Sequence, residues 1–145
     1  MLQELIASGT IGPIHLGLSK RAVQSILGDP QTTSDRRKGR ELWKYDDLQL
    51  AFYQDIVYFI GVYVTDDSIK LPPPLIFDEH ILPRIMRLED MKSFLVADNL
   101  EFDVNDKLTF DDQASLRIVG PTGAEIHLVF ASEKLHSIQV ADRSD

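Results

Sequence analysis

The chain has 145 residues, 43% of them hydrophobic and 26% charged, the balance of a soluble globular domain with enough length for one core. Fifteen basic residues against 23 acidic ones give a net charge of −8. Such a field repels phosphate backbones and anionic lipid and attracts cationic partners, so nucleic acid and membrane surfaces are set aside as targets. Cysteine is absent, which removes disulfides and thiolate metal sites and fits a reducing compartment.

The first ten residues contain Glu4 and no basic residue, and their apolar stretch is too short for an export signal. No segment approaches the roughly 20 apolar residues that span a bilayer, so the expected location is cytoplasmic. Leu2 to Ala7 reads as a short lead-in helix with Leu2, Leu5 and Ile6 on one side. Gly12 to Gly17 reads as extended. Ser19 is an N-cap candidate for a helix whose apolar positions are Ala22, Val23, Ile26 and Leu27, with Gly28 as its C-terminal stop before Asp29-Pro30. The polar stretch from Gln31 to Arg40 reads as a loop.

Three strands follow, at Glu41 to Tyr45, Leu48 to Tyr53 and Val57 to Thr65. The second alternates, Leu48, Leu50 and Phe52 opposing Gln49, Ala51 and Tyr53. Leu71-Pro72-Pro73-Pro74 cannot lie in a helix or sheet interior and reads as a connector. Beyond it come an extended piece from Ile81 to Arg87 and a helix from Glu89 to Ala97 with Met91, Phe94 and Leu95 inward. A strand follows near Leu100 to Val104 or Lys107 to Phe110, then a strand from Ser115 to Val119. A Gly120-Pro121-Thr122-Gly123 turn leads to a final hairpin from Glu125 to Ala141.

The hydrophobic spelling occurs twice. Leu48, Leu50, Phe52, Val57, Ile60 and Val62 recur 78 positions later as Ile126, Leu128, Phe130, Leu135, Ile138 and Val140. The helix string from Val23 to Leu27 is echoed by Met91 to Leu95. The expected class is therefore α+β, with two repeats that each place a helix before an antiparallel β-meander, packed as one compact unit. Residues 1–68 form the first repeat with its lead-in, 69–80 the connector and 81–145 the second repeat.

The run from Ile11 to Ser19, then Val23, then Ile26-Leu27-Gly28-Asp29-Pro30 and Trp43 to Tyr45 resembles a recurrent bacterial pattern. It is similar to the helix-plus-meander modules of the small outer-membrane lipoprotein A superfamily, of the beta-lactamase inhibitor proteins and of immunity proteins from bacterial toxin systems. The likeness covers about the first 65 residues, and the second half only through the repeat. It is carried by turn and core residues and transfers no catalytic residue. Lipoprotein members have an exported, lipidated cysteine, which this chain lacks. The resemblance implies a protein-binding scaffold.

The sequence shows no nucleophile elbow, phosphate loop, dinucleotide glycine signature or zinc-binding His-Glu helix. His15, His80, His127 and His136 are scattered, with the last two expected on opposite faces of one hairpin. Asp103 to Ala114 fails as a calcium loop, because Lys107 stands at a ligand position and Leu108 where a glycine is needed. The acid pairs Asp46-Asp47, Asp66-Asp67 and Asp111-Asp112 fall at strand ends, where aspartate serves turns; their sharper reading is an acidic rim for a basic partner. Arg36-Arg37-Lys38-Gly39-Arg40 reads as a solvated loop or a protein contact.

One asymmetry points to a site. On the final strand of each repeat, opposite the apolar set, the second half has Ser137, Gln139 and Ala141 where the first has Phe59, Gly61 and Tyr63. Aromatics with polar tips are enriched at partner contacts. The expectation is a non-catalytic protein-binding module, most concretely an immunity or inhibitor-type protein that masks a partner, with no metal and no cofactor. Its anchors would be Tyr53, Phe59 and Tyr63, joined by Trp43 and Tyr45, with Asp46, Asp47 and Asp55 steering a cationic protein. The alternatives are homodimerisation through the same face, and a small ligand-binding protein or hydrolase with a pocket between sheet and helices.

Overall fold

The computed structural model describes residues 2–76, 80–104, 112–119 and 123–142. The described residues form four helices and one antiparallel sheet of eight strands. Helices α1 (Leu2–Ser8) and α2 (Lys20–Leu27) come first, followed by β1 (Thr32–Thr33), β2 (Arg40–Tyr45), β3 (Leu48–Tyr53) and β4 (Ile56–Tyr63). Then come α3 (Leu82–Ile85), α4 (Leu88–Ala97), β5 (Asp103–Val104), β6 (Gln113–Val119), β7 (Glu125–Ala131) and β8 (Lys134–Ala141). The strands lie in the order β1-β2-β3-β4-β8-β7-β6-β5, so each half of the chain contributes one half of the sheet and the two meet at β4 and β8.

Local chemistry explains the elements. Ser19 Oγ accepts from the Ala22 amide at 3.1 Å, satisfying one of the donors a helix start leaves unpaired. Gly28, at φ 80°, closes α2 with its amide on the Gln24 carbonyl. The hairpin tips Gln54-Asp55 and Ser132-Glu133 both have positive φ at two successive residues, the twist that matches right-handed strands. The segment expected to be extended from Ile81 to Arg87 instead holds the single turn α3, where Pro83 is tolerated because a first turn needs no amide from it. Gly12-Pro13 is likewise a turn, with Ile11 and Ile14 bonded to each other and both buried.

The stretch from Gln31 to Arg40 is also more ordered than its polarity suggested. β1 pairs with β2, and Arg37 and Arg40 bond reciprocally around Lys38 (φ 54°) and Gly39 (φ 79°) in a tight hairpin turn. Gly39 O then accepts from the Gln54 amide at 2.8 Å, which docks this hairpin on the β3–β4 tip.

One face of the sheet carries the core. Leu48, Leu50, Phe52, Val57, Ile60 and Val62 join Ile126, Leu128, Phe130, Leu135, Ile138 and Val140 in one buried cluster with Leu5, Ile6, Val23, Ile85, Met91 and Leu95 of the helices. The end of α1 approaches so closely that a Cβ on Gly9, at φ 80°, would sit 2.9 Å from Val140 Cγ1. Ile69 and Leu75 bind the proline segment into the same cluster. Among the described residues no helix is long and apolar enough to cross a membrane.

The pairing repeats along with the spelling. All six residue pairs between β3 and β4 have counterparts 78 positions later between β7 and β8, and each strand pair is interrupted by a bulge at the same place, Ala51/Phe52 and Val129/Phe130. The helix entries match too: Val57 donates to Leu18 O at 2.9 Å, and Leu135 to Met86 O at 2.7 Å. At the seam between the halves, Gly61 faces Gln139, flanked by Ile60 on Val140 and Val62 on Ile138. Residues 105–111 of the calcium-like stretch, which include the 107–110 strand and Asp111, and most of the 120–123 turn lie outside the described residues.

Candidate partner-binding face

The face opposite the core carries the candidate site. Register fixes its rows: Arg40 beside Tyr53 beside Ile56, then Leu42 beside Ala51 beside Phe59 beside Ala141. The β4 bulge adds Tyr58, because two residues of β4 stand where β3 supplies one and the alternation is locally broken. The result is a run of large apolar groups in water: Tyr53 is 44% exposed, Ile56 41% and Tyr58 36%. The Arg40 guanidinium lies 5.5 Å from the Tyr53 ring centre and 6.0 Å from that of Tyr58, joining the two rings through their electron-rich faces.

Phe59 and Tyr63 are half-buried because they fold over Gly61. A Cβ there would lie 2.8 Å from Tyr63 Cε2 and 2.9 Å from Phe59 Cε2. Ala141 and Ser137, their cross-strand partners, are small. Large side chains on β4 thus meet small ones on β8 across the seam, where two sets of aromatics would collide. Burial raises the Tyr63 phenol above its ordinary range.

Trp43 and Tyr45 do not belong to this face, which corrects the expectation for them. They are 5% and 3% exposed. The two-residue turn after Tyr45 pairs Tyr45 with Leu48 and Trp43 with Leu50, so both side chains share the core face. Trp43 stacks edge-on with Phe52 at 4.9 Å and donates its indole N–H to Glu41 Oε2 at 2.8 Å. Tyr45 donates to Gly28 O at 2.7 Å, tying β2 to the end of α2; burial, with the Asp29 charge adding to it, pushes its phenol up to about 12.

The three aspartates do not gather into one rim. Asp46 bonds the Gln31 amide group at 2.7 Å, and Asp47 accepts from the Lys70 amide at 2.7 Å and from Thr65 Oγ1 at 3.1 Å. Both lie at the β2–β3 turn, while Asp55 lies at the opposite strand end, paired with Arg36 at 2.8 Å and near Lys20 at 3.9 Å. Their carboxylates hold turns and the hairpin in place. The charges beside the aromatics are Arg37, Lys38 and Arg40, with Asp35 and Glu41, around a groove of about 600 Å³ floored by Leu42 and Ala51 and walled by Tyr58.

The second half of this face is polar. Arg117 bonds Asp103 through Nε at 3.1 Å and Nη2 at 2.8 Å, with Glu125 at 3.4 Å. His127 and Gln139 continue that row toward Gly61. Burial lowers the His127 ring, with Arg117 adding to the effect against Glu125 and Asp103. The β8 bulge also turns His136 onto this face, its ring 6.1 Å edge-on to Tyr63, so the two histidines are not on opposite faces as the alternation implied. Among the described residues no group of three or more His, Cys, Asp or Glu side chains could hold a metal.

Sequence reasoning missed Ile56, Tyr58, Arg40 and Leu42. Leu42 and Arg40 were within reach, since both share parity with Lys44 on the strand that pairs Trp43 to Leu50; Tyr58 depends on the bulge.

No family model matches the chain, and no curated protein matches it. Among solved structures, an extracellular protein containing an SCP domain from Bacillus anthracis is similar over 88% of this chain and 44% of its own, at 16% identity and a TM-score of 0.49. A cysteine-rich secretory protein from Staphylococcus aureus is similar over the same shares, at 9% identity and a TM-score of 0.44. The chain thus spans less than half the length of either.

Proposed function

We propose that the protein is a non-catalytic protein-binding module that docks a partner on the outer face of β2, β3 and β4. The observation that carries this reading is the contiguous exposure of Tyr53, Ile56 and Tyr58 beside Leu42, Ala51 and Phe59. Neighbouring exposed apolar side chains rimmed by charge are a common mark of a contact site. Rigid rings that need little ordering make efficient anchors, and a strand scaffold holds them in register. The immunity or inhibitor role is the form of this reading that the sequence resemblance supports. A cytoplasmic setting belongs to it too, supported by the cysteine-free composition.

We also read the two halves as products of duplication. The shared pairing register, shared bulge and shared helix-entry bonds support that reading. A duplicated scaffold frees one copy to keep a sticky face while the other turns polar. Homodimerisation is the competing use of the same patch.

The test uses a triple variant, Tyr53→Ala, Ile56→Ser and Tyr58→Ala, checked for unchanged circular dichroism. A partner co-purified by the wild type is identified, produced pure and titrated against both proteins by calorimetry. The reading expects the variant to lose at least about a hundredfold in affinity, the scale of a few truncated anchors. Equal binding by the variant would overturn it. A wild-type dimer in light scattering that the variant abolishes would assign the face to self-association instead.

A further inference from the structure

The chain carries −8 overall, yet the groove beside the exposed rings is locally positive. Arg37, Lys38 and Arg40 line it, and none of the three has an ion-pair partner among the described residues. Two carboxylates lie at its wall, Asp35 and Glu41. Glu41 is already taken: Lys20 Nζ lies 2.7 Å from Oε1 and the Trp43 indole donates to Oε2 at 2.8 Å. Desolvation would raise the Glu41 carboxyl, but the bonds from Lys20 and Trp43 outweigh it and hold the group below its ordinary range. That leaves Asp35 alone against three cations.

The backbone that carries these cations is held in place. The tight turn at Lys38-Gly39 sets Arg37 against Arg40, Gly39 O anchors the hairpin to Gln54, and the Arg36–Asp55 pair at 2.8 Å fastens its base. Arg40 is further positioned by the Tyr53 and Tyr58 rings. A guanidinium positioned against rings, as Arg40 is, binds a carboxylate with less ordering cost and in paired geometry. The floor of Leu42 and Ala51 and the Tyr58 wall are apolar, and offer a seat for a side chain rather than for a sugar-phosphate backbone.

We propose that this groove takes an acidic peptide segment of the partner, its carboxylates on Arg37, Lys38 and Arg40 and an apolar side chain between Leu42, Ala51 and Tyr58. The proposal rests on the docking reading above and adds the partner's chemistry to it. It also reverses the sign expected from the aspartates. A long polyanion is disfavoured because the remaining surface repels it, whereas a short segment with few carboxylates meets only the local field.

The experiment uses three fluorescein-labelled twelve-residue peptides that share alternating leucine and tyrosine and carry glutamate, glutamine or lysine between them, plus a labelled twelve-nucleotide single-stranded DNA. Anisotropy titrations are run at low and high salt against the wild type, Arg37→Gln/Lys38→Gln, and Tyr58→Ala, each checked for its thermal midpoint. The proposal expects the glutamate peptide to bind at least tenfold tighter than the glutamine peptide. It expects that advantage to vanish in the charge variant and to shrink in high salt, and Tyr58→Ala to weaken whatever remains. Equal binding of glutamate and glutamine peptides, failure of all three, or tighter binding of the DNA would overturn it. If the glutamine peptide binds as well and only Tyr58→Ala weakens it, docking on this face stands and the acidic preference falls. If the reconstituted partner ignores the triple aromatic variant, the docking reading itself has failed.

Discussion

Replacing Gly61 by alanine should destabilise the protein, against the usual trend for a strand glycine. In most strands the change gains about 0.5–1 kcal/mol, because alanine restricts the unfolded chain and favours extended backbone. At Gly61 the new Cβ would sit 2.8 Å from Tyr63 Cε2 and 2.9 Å from both Tyr63 Oη and Phe59 Cε2, closer than such atoms pack. The backbone is fixed by pairing on both sides, with Gln49 and with Gln139, so the rings must move. If they swing outward and expose roughly 80–100 Å² of apolar surface, the loss is about 2 kcal/mol at about 25 cal/mol per Å². Net destabilisation is then about 1–1.5 kcal/mol, a midpoint shift of roughly 3–6 °C for a chain of this size. Urea unfolding of Gly61→Ala, Phe59→Ala/Tyr63→Ala and the triple combination measures the coupling. With both rings truncated, Gly61→Ala should turn stabilising. A Gly61→Ala protein more stable than the wild type in the intact background would refute the argument that the rings close over this glycine.

Further expectations concern the frame that presents the face. Ser132→Asn/Glu133→Gly should stabilise by about 1 kcal/mol in urea unfolding, since both positions have positive φ and asparagine and glycine adopt it with least strain. Ser19→Ala should cost about 1 kcal/mol through loss of the cap on the Ala22 amide, measured the same way. Glu41 is held below its ordinary 4.5, so its ionised form adds stability above that pH, and the gain disappears as pH falls through the lowered value. A Glu41→Gln variant should therefore show a flatter acid limb in stability against pH than the wild type; identical limbs would exclude Glu41 from that dependence.

The sequence made the pleated frame legible because alternation is a local signal. Leu48, Leu50 and Phe52 announce a half-buried strand, and their echo 78 positions on announces another with the same register. The helix Lys20–Leu27 was equally clear, since its cap, its apolar stripe and its closing glycine agree. Features that depend on pairing were harder to see. Trp43 and Tyr45 look like surface aromatics until the two-residue turn at Asp46-Asp47 is used to place them opposite Leu50 and Leu48. That inference was available from residue count alone. The bulge that brings Tyr58 and His136 to the outer face was not, because nothing in either strand's spelling marks the extra residue. Charge proved the least local property. The acid pairs at strand ends suggested an acidic rim, while Asp46 and Asp47 bond the β2–β3 turn, Asp55 pairs with Arg36, and Arg37, Lys38 and Arg40 gather beside the rings.

Tyrosine modification in the free protein tests the presentation of the face most directly. The four tyrosines form a graded series: Tyr53 and Tyr58 are the more exposed, Tyr63 is half-covered over Gly61, and Tyr45 is buried with its hydroxyl on Gly28 O. Tetranitromethane treatment followed by peptide mass spectrometry should show Tyr53 and Tyr58 nitrated first, Tyr63 more slowly, and Tyr45 only when the protein unfolds. Nitration of Tyr45 at the rate of Tyr53, or protection of Tyr53 and Tyr58 in the monomer, would contradict the account.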